Sequence, residues 1–165
     1  FNIAATHANE MVMVPTFLKL VGRSPFVEMT AHNAKQNGLA VEAAQADVFD
    51  FLTELDKKKD HSYDYIVLDP PAFTKSGKTV HEAFRGYKEI NYRAMKILPR
   101  GGYLATCSCS HFMGEELFVK MVKEAARDAG VTLRQIEFRQ QAPDHPILMT
   151  VPETYYLKFF LFQIV

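Results

Sequence analysis

The stretch YDYIVLDPPAFTKSG, residues 63–77, decides how the rest of the chain is read. Tyr65, Ile66, Val67 and Leu68 form a short unbroken apolar run, rich in β-branched and aromatic residues, and a turn signal ends it. Such a run reads as a strand buried on both faces, as in a parallel sheet. Asp69 then stands at the carboxyl end of that strand, where open α/β sheets place their ligands. Pro70 and Pro71 remove two backbone N–H donors and fix φ near −65°, so the chain leaves the sheet on a stiff path. A plain strand-ending turn would also fit, but a carboxylate held at the mouth of a sheet is costly unless something uses it.

Working outward, strand and helix alternate. Upstream, residues 1–9 suggest the end of a helix, Met11–Val14 a strand stopped by Pro15, and residues 15–23 an irregular stretch. Ser24-Pro25 is a good helix start and Asn37-Gly38 a good stop. Val41–Ala46 is a modest strand, and residues 48–58 return as a helix with Phe49, Leu52 and Leu55 on one face. Downstream, a polar loop at 74–78 leads to a helix over 80–98, then a tight turn at 99–102 and a buried strand at 103–107. Gly114–Ala129 is amphipathic, with Leu117, Phe118, Met121, Val122, Ala125 and Ala126 on one face and Gly130 as its cap. Leu133–Gln140 alternates as a strand, a proline-rich loop follows, and Tyr155–Val165 is the last strand. Two successive strands at the end predict an α/β, doubly wound, mostly parallel sheet with an antiparallel C-terminal strand. The apolar character of the last strand suggests an inner place; at an edge it would favour a homodimer.

The 165 residues, 48% hydrophobic, can bury a core and suggest one domain spanning 1–165. Net charge is zero, with 19 basic and 19 acidic residues, so attraction to nucleic acid is not written into the composition. Cys107 and Cys109 are too close in sequence for an unstrained disulfide, and no second pair exists to bind a metal; a reducing cytoplasm is expected. No apolar run reaches the roughly 18 residues of a membrane helix.

Three strand ends converge on one crevice in this topology: Asp47, Asp69 and residues 107–110. Asp47 can accept hydrogen bonds from an adenine amine or a ribose hydroxyl, or can cap the helix that begins at Val48. Cys109 lies between a strand and a helix N-terminus, whose dipole favours a thiolate and so a nucleophile; a small buried hydrophobe is the other reading, and Cys107 fits it better. Lys75, Lys78, Arg85, Tyr87, Lys88 and Arg93 gather charge near the crevice, for phosphate contact or as a solvated helix face. Asp144-His145 can form a pair near the site or serve the loop alone.

Five blocks carry a resemblance: DPPAFTK (69–75), FRGYKEIN (84–91), GG (101–102), SCSH (108–111) and RQQAPDHP (139–146). Together they resemble class I S-adenosylmethionine-dependent methyltransferases, closest to bacterial large-subunit ribosomal RNA cytosine-5 methyltransferases, over residues 24–165. The resemblance implies a Rossmann-like fold, S-adenosylmethionine as cofactor and ribosomal RNA as partner. It implies Cys109 as nucleophile and Asp69 as the group that holds the pyrimidine edge. Asp47, Val48, Asp69 and Pro70 would meet the cofactor, and Lys75, Arg85, Tyr87 and Lys88 the RNA. It also implies that the first strand and its glycine-rich loop belong before Phe1, that the acid gripping the ribose is replaced near Pro15 or Gly22, and that a fused RNA-binding domain is absent. Ala72 stands where many RNA cytosine-5 enzymes carry a second cysteine. Two other readings remain open: an amino-group methyltransferase using the same Asp-Pro-Pro, and a non-catalytic remnant that binds RNA or a partner.

Overall fold

The computed structural model describes residues 10–14, 17–20, 24–39, 41–74 and 76–165. In chain order the elements are β1 (Glu10–Val14), β2 (Phe17–Leu20), α1 (Ser24–Gln36), β3 (Val41–Ala44), α2 (Val48–Lys58), β4 (Tyr65–Asp69), α3 (Val80–Ile97), β5 (Tyr103–Ser108), α4 (Glu115–Ala129), β6 (Leu133–Arg139) and β7 (Lys158–Ile164), with single 3₁₀ turns at Gly77–Thr79 and Pro152–Thr154. The strands form one mixed sheet in the order β3-β2-β1-β4-β5-β7-β6.

Five strands point the same way, and β1 and β7 run against them. The expected α/β, Rossmann-like, doubly wound plan therefore holds, as does the reversed final strand. β7 pairs with β5 on one side and β6 on the other, so it is an inner strand. The premise on which a homodimer was expected, β7 at an edge, is not met. Residues 15–23, expected to be irregular, contain β2, which pairs with β1 and β3. The expected helix end within residues 1–9 lies outside the described residues.

Local sequence sets the helix ends. Asp47 accepts the N–H groups of Phe49 (2.9 Å) and Asp50 (3.1 Å) at its Oδ1, which caps α2 and satisfies two otherwise orphaned donors. Its other end closes on Lys59, which adopts φ 51° and is the one non-glycine residue with positive φ among the described residues. α4 closes on Gly130 at φ 72°, a conformation that costs glycine nothing.

α2, α3 and α4 pack side by side on one face of the sheet. Their apolar stripes (Leu52, Ile90, Met95, Phe118 and Met121) meet Ile66, Leu68, Leu104, Phe160 and Phe162 in one core. Each fully buried side chain of this size contributes about 1.5–3 kcal/mol. The opposite face is less covered. Ile66 and Leu68 are wholly buried, whereas Tyr65 and Val67, which alternate with them, are only half-buried, so β4 is not buried equally on both faces as its sequence suggested. Tyr65 and Tyr103 stack on that side, 5.9 Å between centroids. None of the described helices is long and apolar enough to cross a membrane.

Candidate active site at the ends of β4 and β5

β4 and β5 are parallel neighbours, paired Leu68 to Thr106, so their carboxyl ends emerge together. Asp69 closes β4, and Pro70, buried, starts the loop that follows. The loop is held down by Phe73, whose ring meets the Tyr87 ring edge-on at 4.6 Å. Gly86 lies beneath that ring: a Cβ there would come to 3.4 Å from Phe73. Thr74 is buried, and its hydroxyl meets the Ser76 carbonyl at 2.6 Å and the Thr79 hydroxyl at 2.7 Å. The Pro-Pro loop is thereby fastened to the start of α3.

The second half of the site is the turn after β5. The Ser108 hydroxyl donates to Tyr87 Oη at 3.0 Å and accepts from the Ser110 N–H at 3.3 Å. The Ser110 hydroxyl in turn donates to the Thr74 carbonyl of the Pro-Pro loop at 3.2 Å. Lys158, 1% exposed, donates from Nζ to the carbonyls of Ser110 (2.5 Å) and Tyr156 (2.8 Å). Cys109 is exposed at the apex of this tied turn, whereas Cys107 is buried behind it. The Cys107 thiol donates to Asp69 Oδ1 at 3.0 Å and to the Leu68 carbonyl at 3.4 Å, which fixes one oxygen of the Asp69 carboxylate.

The electrostatics differ from expectation at Cys109. Burial pushes its thiol above the ordinary value, and the charge of Asp69 pushes the same way; its own N–H, the N–H of Ala72 and the charge of Lys158 pull it back. The helix dipole does not make it a ready thiolate, because α4 starts only at Glu115 and the dipole acts within about one turn. Cys107 is held well above its ordinary value by burial first and Asp69 second, so it stays a neutral donor. Burial also pushes the Tyr87 phenol up to about 12, keeping it protonated. For Lys158, burial lowers the ammonium to about 8, and the charges of Cys109 and then Glu115 oppose that.

The structure thus brings Asp69, Pro70 and Cys109 together. Asp47 spends Oδ1 on its cap, and its Oδ2 makes no hydrogen bond among the described residues. Val48, beside it, has a buried side chain and can offer only backbone. Tyr87, expected to meet RNA, is 0% exposed and bonded to Ser108; it belongs to the core that supports the site. Lys88, with the same expectation, is bound to α4 through Asp128 (2.7 Å) and Glu124 (3.5 Å). Arg93 is tied to Glu89 and to the Phe49 carbonyl. Arg85 and Lys78 are exposed, and Lys75 lies outside the described residues. Asp144 and His145 are both exposed, 4.0 Å apart, with the imidazole on the Tyr156 hydroxyl at 3.0 Å. Among the described residues no group of three His, Cys, Asp or Glu is placed to hold a metal ion.

Sequence reasoning missed Lys158 and the two serines flanking Cys109. A signal existed for Lys158, the only charged residue in residues 155–165.

No family model matches the chain. It is 44% identical over 135 residues to ribosomal RNA large subunit methyltransferase I of Aeromonas salmonicida, covering 80% of this chain and 34% of that protein. The protein of the same name from Photobacterium profundum is 43% identical over 139 residues, covering 82% and 35%. This chain thus spans about a third of the length of these relatives. Among solved structures, SMU.776 in complex with SAH superposes with a TM-score of 0.77 at 17% identity, covering 91% of this chain and 39% of that one. TrmN from Thermus thermophilus follows with a TM-score of 0.57 at 18% identity, covering 90% and 36%. The fold is shared with these proteins.

Proposed function

We propose that this chain is the catalytic part of an S-adenosylmethionine-dependent methyltransferase that forms 5-methylcytosine in large-subunit ribosomal RNA. The observation that carries the reading is the pairing of an exposed thiol, Cys109, with a carboxylate, Asp69, at adjacent parallel strand ends beside a stiff Pro-Pro loop. The relatives' names support ribosomal RNA as substrate. On this reading residues 1–165 belong to one methyltransferase domain.

Carbon 5 of cytosine is a poor nucleophile. Addition of the Cys109 thiolate to carbon 6 breaks the ring's aromaticity and turns carbon 5 into the nucleophilic end of an enamine. Asp69 has one oxygen held by Cys107 and the other without a hydrogen bond among the described residues. That free oxygen can accept the exocyclic N–H of the cytosine or, carrying a proton, deliver it to ring nitrogen 3 as negative charge develops there during addition. The neighbouring N–H of Ala72 faces the sulfur and favours its charged form. After carbon 5 is methylated its proton is removed by a base and the thiolate is expelled, restoring the ring. Reaching carbon 6 requires the base to leave its stack, at a cost of about a few kcal/mol. Among the described residues, exposed Lys78, in the turn before α3, and exposed Arg85, within α3, are cations open to phosphates.

S-adenosylmethionine, when bound, supplies the electrophilic methyl group. The residues fit it in part: Asp47 keeps one carboxylate oxygen for the adenosine side, and the backbone of Val48 and Pro70 borders the same sheet end. The test is covalent trapping on RNA carrying 5-fluorocytosine, whose fluorine cannot leave as a cation. A protein–RNA adduct that requires S-adenosylmethionine and disappears in Cys109→Ala is expected. Methyl transfer to an exocyclic amine without an adduct would overturn the carbon-5 chemistry.

One observation favours a second reading. Beside β4, where a doubly wound sheet would carry a parallel strand, β1 runs antiparallel. A chain altered on the cofactor side would bind RNA or a partner without turnover. Titration calorimetry with S-adenosylmethionine separates the two: micromolar binding supports the enzyme, and none up to millimolar supports the remnant.

A further inference from the structure

Lys158 is an ammonium placed where a charge is expensive. It is 1% exposed, and its two hydrogen-bond partners are neutral carbonyls, those of Ser110 and Tyr156. Among the described residues it makes no ion pair. A buried charge is normally paired, or the site neutralises it. One of its carbonyls belongs to the residue after Cys109, so the cation sits under the turn that carries the exposed thiol. From this geometry we propose that Lys158 is a positioning residue for Cys109: it fixes the turn through the Ser110 carbonyl and supplies the positive charge against which the Cys109 thiolate forms. The role deepens the thiolate chemistry proposed above and rests on that reading for its purpose.

The surrounding charges make the need plain. Asp69 from β4 acts against a thiolate at Cys109, and Cys107 from β5 adds only a neutral thiol. Tyr87 from α3 stays protonated. Glu115 from α4 acts on Lys158 but is itself bonded by the Tyr155 hydroxyl at 2.8 Å. Lys158, from β7, is a cation that acts on the sulfur in the opposite sense to Asp69.

The test is the pH dependence of Cys109 alkylation by iodoacetamide on the 165-residue chain, with the adduct located by peptide mass spectrometry to exclude Cys107. Lys158→Met is expected to move the midpoint upward and slow alkylation at neutral pH roughly tenfold. Lys158→Arg is expected to restore the wild-type profile. An unchanged midpoint in a folded Lys158→Met chain would overturn the proposal, since a purely structural lysine would not move it. Should Lys158→Met fail to fold, Lys158→Gln is measured in the same way; an unchanged midpoint in that folded variant overturns the proposal. The readout needs no RNA or methyl donor, so a failure of the cytosine chemistry leaves it intact.

Discussion

At the scale of the residue, the site depends on groups whose burial sets their protonation. Lys158 has a folded-state midpoint of about 8, below its ordinary 10.5. Between those values the unfolded chain holds a proton that the folded chain has lost, so this group makes stability rise with pH over that window. Cys107, Cys109 and Tyr87 act in the opposite direction: each is raised in the fold, so each lowers stability as pH passes its unfolded value. The Lys158 contribution is therefore read as a difference. Urea unfolding of wild type and Lys158→Met is expected to show wild type gaining on the variant between pH 8 and 10.5. A constant gap would mean that Lys158 titrates normally. Asp69 and Cys109 were legible in the sequence because each stands at a strand end next to a turn signal. Lys158 stood out only as the one charge in residues 155–165, and a single lysine in an apolar strand gives no hint of which face it takes; pairing with Ser108 of β5 decides that.

At the scale of the element, α2 carries its own start and stop. Asp47→Ala removes the cap on Phe49 and Asp50 and is expected to cost about 1 kcal/mol. Lys59→Gly relieves a left-handed backbone at the other end and is expected to add about 1 kcal/mol. Thermal unfolding of the two variants, scored with opposite signs, checks both. The start of α2 was legible because Asp47 is a good cap residue, whereas its end was read only approximately because Lys59 carries no cap signature. β2 was not legible, because Phe17–Leu20 is four residues long with Pro15 before it and Gly22 after it; it is a strand only through pairing with β1 and β3. The misplacement of Tyr87 was avoidable. Ala83, Tyr87, Ile90 and Ala94 recur at helical spacing, and all four are buried on the inner stripe of α3. The FRGYKEIN block drew attention to its charges and away from that period.

At the scale of the molecule, the order β3-β2-β1-β4-β5-β7-β6 places the last strand in the interior of the sheet. β7 bonds to both β5 and β6, and Gly101 and Gly102 exchange hydrogen bonds with Ile164 near its end. Removing residues 158–165 would leave two inner strand edges bare and the core without Phe160 and Phe162. The truncated chain is expected to lose cooperative unfolding and to aggregate at micromolar concentration, monitored by circular dichroism and light scattering. Cooperative melting of the truncated chain would contradict this assignment of β7.

This arrangement also bears on synthesis. A nascent chain emerges from its first residue onward, and β5 and β6 leave the ribosome before the strand that joins them. Until Lys158–Ile164 follow, β5 and β6 have no partner between them, and Lys158 has not yet reached the Ser110 carbonyl. The sheet therefore closes, and the Cys109 turn is fixed, only once Lys158–Ile164 have been made.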